Sequence, residues 1–453
     1  MKKLKSILLF FVTVLALNLS AQEQSVTEKL SEVNDKVNGL LERLSTDESD
    51  LQKLTKIKVS GYIQAQYQNF ESPALLSKSQ NYFSLRRVRV KFTYEAIDGI
   101  KFVLQPDFAP GSISIKDAYA IVNDHWTKSF SLWAGKFNRP NYEVEYSSSQ
   151  RELVERSAVI RAIYPGERAI GAKLEFNPQS APIHMQLAIL NGADGITVNN
   201  AAATNLNAAD NIDYDNSKDV MARVTYNLPL GSFGGLDFGA HGYFGSLKSM
   251  ADSTYSSDYT TIKKSTTGEK IGKNWLGAEF QLFADILGGL SIKGEYIAGK
   301  NASIGYKAKA PALSVVNYQN NFSGSYLYLI KNLGKRNQVA FRYDYYDPNT
   351  DIKGSDVTIK KYAATGTYAK KASSKSDLAT TTFGFAFHHY FDDNIRITLN
   401  YDIVQNEKVG QTAGVGNIRE DYTQANGKVV SNGLDYSKVV PANVFTLRIQ
   451  AKF

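Results

Sequence analysis

Two nested alternations constrain this chain more than any other feature. From Ile57 onward, apolar and polar residues take turns with a period of two. Phe445, Leu447, Ile449, Ala451 and Phe453 are interleaved with Thr446, Arg448, Gln450 and Lys452. The same pattern runs through Ile395, Ile397, Leu399, Tyr401 and Ile403, through Val339, Phe341, Tyr343 and Tyr345, and through Val88, Val90, Phe92 and Tyr94. A period of two belongs to a strand with one apolar and one polar face. The connections alternate as well. Short turns fall at Asp98-Gly99, Asn123 to Lys128, Pro178 to Pro182, Pro229 to Gly235, Leu287 to Gly289, Leu333 to Asn337 and Asp392-Asp393. Between them come long polar stretches near 70–81, 109–114, 139–165, 192–217, 247–270, 300–320, 348–376 and 405–440. This predicts an all-β fold, a transmembrane up-and-down antiparallel barrel with turns on one rim and loops on the other. About sixteen strands fit, each near the bilayer-crossing length. Closure leaves no unpaired edge, and a barrel of that size encloses water.

The N-terminus has a different character. Lys2, Lys3 and Lys5, the apolar run from Ile7 to Leu17 and the small pair Ser20-Ala21 predict a secretory signal peptide over residues 1–21. Its removal takes the net charge from +8 to +5. No later stretch holds 18 consecutive apolar residues, so a membrane location requires the barrel. The absence of cysteine excludes a disulfide scaffold, a thiolate metal site and a cysteine nucleophile. A 43% apolar share with 12% aromatics is too high for a disordered chain. The mean hydropathy of -0.30 suits strands with one polar face each.

Residues 22–56 follow a third rule. Val26, Leu30, Val33, Val37, Leu40, Leu44, Leu51 and Leu54 are spaced as a heptad seam, broken at Asp47 and weakened at Gly39. This predicts a short helical coiled coil in the periplasm; a single amphipathic helix on the protein's own body is the alternative. An isolated helix this polar does not hold in water, so the stripe needs a partner.

Several motifs then resemble one family. Tyr82 to Val90 (YFSLRRVRV) is similar to the arginine-rich second strand of the phosphate-selective porin O/P family. Asp117-Ala118-Tyr119, Leu132 to Pro140 (LWAGKFNRP), Glu155-Arg156-Ser157 and Gly166 to Gly171 (GERAIG) resemble the motifs that follow it. The terminal Phe453 is similar to the assembly signal of bacterial outer-membrane barrels. The resemblance covers residues 58–191 and the last strand. It implies a sixteen-stranded trimeric porin in the outer membrane of a Gram-negative bacterium, with the third extracellular loop folded into the lumen and phosphate or another oxyanion as solute.

If the apolar rows face lipid, the alternate rows face water. That places Arg87, Arg89, Lys91, Lys101, Lys136, Arg223, Lys293, Arg342, Arg396 and Arg448 inward, where basic groups concentrate anions. Arg forks suit oxyanions. The plainer reading pairs these cations with Glu95, Asp107, Glu279, Glu295 and Asp344 as ordinary wall residues. The 139–165 segment, long for a connection, carries Arg139, Arg151, Glu152, Glu155 and Arg156, the opposed charges of a constriction loop. His125, His184, His241, His388 and His389 form no zinc motif, and neither a Gly-x-Ser-x-Gly elbow nor a phosphate loop occurs. No enzyme activity, metal or cofactor is expected. The expected partners are a homotrimer, outer-membrane lipid and lipopolysaccharide, small anionic solutes and a periplasmic partner through the coil, with no nucleic acid. The expected function is passive diffusion of small hydrophilic solutes with an anion bias. Two alternatives stand: a general or other nutrient-specific porin, and a structural surface barrel tethered by its coil.

Overall fold

The computed structural model describes residues 31, 34–46, 48, 56–71, 81–111, 113–192, 197–200, 203–207, 216–249, 253–257, 262–309, 312–356, 377–408, 419–423, 429–435 and 442–453. The chain divides into two units, Met1–Lys58 and Val59–Phe453.

Sixteen long strands form the second unit among the described residues. They are β1 (Ile57–Phe70), β2 (Asn81–Ile97), β3 (Ile100–Asp107), β4 (Ser114–Asn123), β5 (Phe130–Asn138), β6 (Arg168–Phe176), β7 (Ile183–Asn191) and β8 (Lys218–Pro229). The chain continues with β9 (Gly234–Lys248), β10 (Lys270–Ala284), β11 (Leu290–Lys309), β12 (Ala312–Leu333), β13 (Asn337–Asp347), β14 (Thr380–Tyr390), β15 (Ile395–Asn406) and β16 (Val444–Lys452). Each pairs with its sequence neighbours. The first and last strands meet antiparallel from Tyr62↔Lys452 to Phe70↔Val444, which closes the barrel. Gly61 and Phe453 exchange backbone hydrogen bonds of 2.9 and 3.0 Å at the seam.

The outward rows are apolar and exposed, as at Phe102 and Leu104, Leu187 and Ile189, and Leu327 and Leu329. The inward rows are polar and buried, as at Arg342 and Asp344 or Thr398 and Asn400. The turns fall where expected; Gly99, at φ +82°, allows the two-residue turn between β2 and β3. One expected loop is corrected. Residues 300–320 are mostly strand, because β11 and β12 stay paired out to Lys309↔Ala312. Two short strands, Ser253–Tyr255 and Ile262–Lys264, pair with each other and extend the sheet beside β12.

In the first unit, residues 34–46 are helical and are called α1. The seam residues Val37, Leu40 and Leu44 are exposed on it, and no second helix lies against it among the described residues. Val26, Leu30, Val33, Leu51 and Leu54, and the 1–21 segment, lie outside the described residues.

Candidate functional site

The connection from β5 to β6, residues 139–167, is built unlike the others. It contains two short helices, α2 (Tyr142–Glu145) and α3 (Ala158–Ile163), joined by irregular chain. Its contacts run around most of the wall. Loop groups meet Gln64 on β1, Gln186 on β7, Arg223 on β8, Glu295 on β11, Arg342 on β13, His388 on β14, Arg396 on β15 and Arg448 on β16. A segment that touches nearly every strand from β7 round to β1 runs inside the barrel.

Irregular backbone enclosed by protein must find hydrogen-bond partners. The wall supplies them. Arg342 Nη1 donates to the Glu155 carbonyl at 2.8 Å, Arg396 Nη2 to Arg151 at 2.9 Å and Arg448 Nη1 to Val154 at 2.8 Å. His388 Nε2 meets the Glu152 carbonyl at 2.6 Å, and Gln64 and Gln450 donate to Ser148 and Ser149. Three expected lumen cations are therefore turned to the loop backbone.

Carboxylates fix the helices. Asn141 caps α2, accepting from Val144 N at 3.2 Å, and donates from its amide to Glu295 Oε1 at 2.6 Å. Glu143 accepts from Ser157 Oγ at 2.6 Å and Tyr328 Oη at 2.7 Å. Apolar side chains do the rest. Val144, Leu153, Val159 and Ile160 join Trp275, Phe322 and Tyr326 in one buried cluster inside the barrel. Gly324 on β12 and Gly384 on β14 leave pits that receive Val159 and Leu153; a Cβ at Gly324 would lie 2.5 Å from Val159 Cβ.

The five loop residues named from sequence lie here together. Arg139 lies over the Tyr164 ring at 5.9 Å. Arg151 and Arg156 pair with Glu167, and Arg156 also donates to the Glu143 and Val144 carbonyls at 2.7 and 2.9 Å. Glu152 receives Lys293 Nζ at 2.6 Å. Glu155 accepts from Arg86 at 2.8 and 2.9 Å and from Arg448 at 3.3 Å. Burial works against the Glu155 carboxylate, but the Arg86 hydrogen bond and the Arg86, Arg87 and Arg448 charges hold it well below the usual carboxylate range.

The remaining wall cations divide by partner. Arg87 donates to Gln64 at 2.9 Å, and Arg89 binds Asp107 at 2.8 Å. Lys101 pairs with Glu95 at 3.6 Å, and Arg223 with Glu279 at 2.5 Å and Glu145 at 2.8 Å. Arg342 also sits 3.5 Å from Asp344. Lys136 is a correction. It shares the outward row with Leu132 and Ala134, opposite Trp133 and Phe137, and its cross-strand neighbours are Ala118 and Ile170.

Between the loop and the inner wall of β1 to β7 lies a cavity of about 350 Å³. Arg89, Lys91, Arg156, Arg168 and Lys173 line it, with the acids Asp117, Glu145 and Glu175 and the aromatics Tyr62, Tyr119, Trp133 and Tyr146. Of these, Arg168, Lys173, Tyr119 and Trp133 were not assigned to the lumen from sequence; inward period-two positions on β4 to β6 mark Lys173, Tyr119 and Trp133, whereas Arg168 at the start of β6 shares the row of Ile170 and Leu174. A second cavity of about 280 Å³ extends toward the 177–182 turn, and His184 lines both.

His241, Glu279 and Glu295 bring metal-type donors within 4.8 Å of one another. Their converging atoms already hold protein partners: Glu279 meets Arg223, and Glu295 meets His241 Nε2, Asn141 and Tyr326 at 2.6, 2.6 and 2.5 Å. The set works as an anchor for the loop.

Comparison with known proteins agrees with this architecture. The family model described as phosphate-selective porin O and P matches residues 57–232. No curated protein matches the chain. Among solved structures, the chain is similar to the anion-selective porin from Comamonas acidovorans, at 10% identity and TM-score 0.50, over 88% of this chain and 99% of that one. It is also similar to the outer membrane channel DcaP of Acinetobacter baumannii, at 11% identity and TM-score 0.51, over 88% and 97%. Likeness at these identities is a likeness of fold. The stretch matched by the family model runs from β1 to β8.

Proposed function

We propose that this protein is an outer-membrane porin of a Gram-negative bacterium, a channel for passive diffusion of small hydrophilic solutes with a modest anion bias. The observation that carries the reading is the charged lining of the cavity beside the loop. Loop groups are bonded to β8, β11 and β13 to β16, and the cavity between the loop and β1 to β7 is lined by five cations against three carboxylates. Basic groups on a narrow wall raise the local anion concentration and repel cations. The bias is modest because most of these cations are already paired. The general-porin alternative predicts no bias, and the structural alternative predicts no conductance.

Reversal potential in a planar bilayer under a KCl gradient separates the three. Chloride permeability above that of potassium supports the proposal; cation preference overturns it. In the same reading the barrel is a homotrimer surrounded by lipid and lipopolysaccharide, and the exposed Val37, Leu40 and Leu44 seam of α1 packs against the seams of its neighbours in the periplasm. Deleting residues 23–54 should then loosen the trimer in sedimentation, whereas an unaltered trimer removes the coil from that role.

A further inference from the structure

The cavity beside the loop offers its donors unevenly. A phosphate dianion wants several donors at once, which free Arg forks supply well. Here the forks are closed. Arg89 serves Asp107 and Tyr62, and Arg168 serves Asp117 and Glu167. Arg156 is held by two loop carbonyls and Glu167. Lys173 sits between Glu175 at 2.5 Å and Glu145 at 3.5 Å, above the Trp133 ring. Lys91 alone among these lining cations has neither ion pair nor hydrogen bond among the described residues.

The rest of the lining is aromatic. Tyr119 and Trp133 pack with ring centroids 4.8 Å apart. Gly135, directly across from Tyr119, takes φ +127° and lets the two strands approach closely there. Trp133 Nε1 and Asn138 Oδ1 are buried without a hydrogen-bond partner, and both residues line the cavity. An indole N–H only donates, so it is matched by an acceptor such as a carboxylate oxygen. The volume of about 350 Å³ is that of a small-ligand site.

We propose that this cavity is a binding station for organic carboxylates with a flat apolar or aromatic body, the anionic end at Lys91 and the ring against Tyr119 and Trp133, in preference to inorganic phosphate. The inference rests on the channel reading and narrows its solute class. A single free cation meets a monocarboxylate, and the aromatic wall binds what phosphate lacks.

The test uses the purified full-length protein in planar bilayers, with benzoate, acetate and inorganic phosphate added to KCl. Benzoate should block half the current at a concentration at least about tenfold below that of acetate or phosphate. Lys91→Gln breaks no hydrogen bond or ion pair among the described residues and should raise the benzoate concentration about tenfold. Trp133→Phe, which keeps a ring and deletes the N–H, should raise it several-fold. Phosphate blocking more strongly than benzoate overturns the inference and leaves the porin reading intact, as does equal block by benzoate and acetate. If the protein shows no conductance, the porin reading fails; calorimetry then decides the station separately. Benzoate binding that weakens in Lys91→Gln sustains it, and absence of benzoate binding overturns it.

Discussion

The pit at Gly324 allows the docking of the loop to be tested with one atom. In Gly324→Ala the new Cβ would lie 2.5 Å from Val159 Cβ, 2.6 Å from Cγ2 and 3.1 Å from Cγ1. Carbon atoms prefer about 3.5–4.0 Å, so roughly 1 Å of clearance must be found. Val159 cannot swing aside, because a β-branched side chain on a helix is held in one rotamer. It is also fully buried in the inner cluster. The strand cannot yield either, since Gly324 is paired on both sides, to Ile297 and Tyr346. The strain falls on α3. Overpacking of this kind costs about 1–3 kcal/mol. At about 1.4 kcal/mol per decade, 2 kcal/mol raises the undocked fraction of the loop roughly thirtyfold. Two assays read this. Single-channel conductance should rise, with frequent excursions to a larger open level. Trypsin should nick the loop at Arg151, Arg156 or Arg161 while the barrel stays closed. Val159→Gly in the same background deletes all three clashing carbons and should couple positively in a double-mutant cycle. Wild-type conductance together with wild-type trypsin resistance in Gly324→Ala would refute the docking described here.

Further outcomes follow from the same contacts. Lys91→Glu should lower or reverse the chloride preference without loss of barrel stability, since Lys91 has no ion-pair or hydrogen-bond partner among the described residues; reversal-potential shifts check it. Lys136→Glu should leave selectivity unchanged, because that side chain lies on the outward row; a permeability change as large as that of Lys91→Glu would contradict the assignment. Glu155 is held below its usual range in the folded protein, so its contribution to docking is present above the ordinary carboxylate value and is lost as pH falls through the depressed one. Conductance should therefore stay level from neutral pH through the ordinary carboxylate range and rise only under stronger acid; a rise near the ordinary value would show that Glu155 is not so held.

Much of this was legible in the sequence. Period-two rows and alternating connections specify the barrel, and the loop's place inside it came from motif resemblance. Where reading failed, the cause is specific. At Leu132 to Phe137 both faces are apolar, because Trp133 and Phe137 face the inner cluster and Leu132 and Ala134 face outward. The rule that apolar residues face lipid then has nothing to discriminate, and Lys136 was assigned to the wrong row. Near 300–320 the pairing of β11 with β12 runs well past the length of the other strands, so the segment read as loop. The work done by Arg342, Arg396 and Arg448 was hidden for another reason. Their partners are backbone carbonyls, which every residue carries, so no sequence pattern marks them.

The central claim is that solute passes only on the β1 to β7 side of the loop. The chain has no cysteine, so single thiols can be placed without background. Tyr119→Cys and Gln186→Cys line the passage, whereas Thr398→Cys and Asn400→Cys lie on β15 beneath the loop, nearly without exposure. Current is recorded while a small charged thiol reagent is added. The structure predicts a step in conductance at 119 and 186 and none at 398 and 400. Equal modification of all four positions would contradict it.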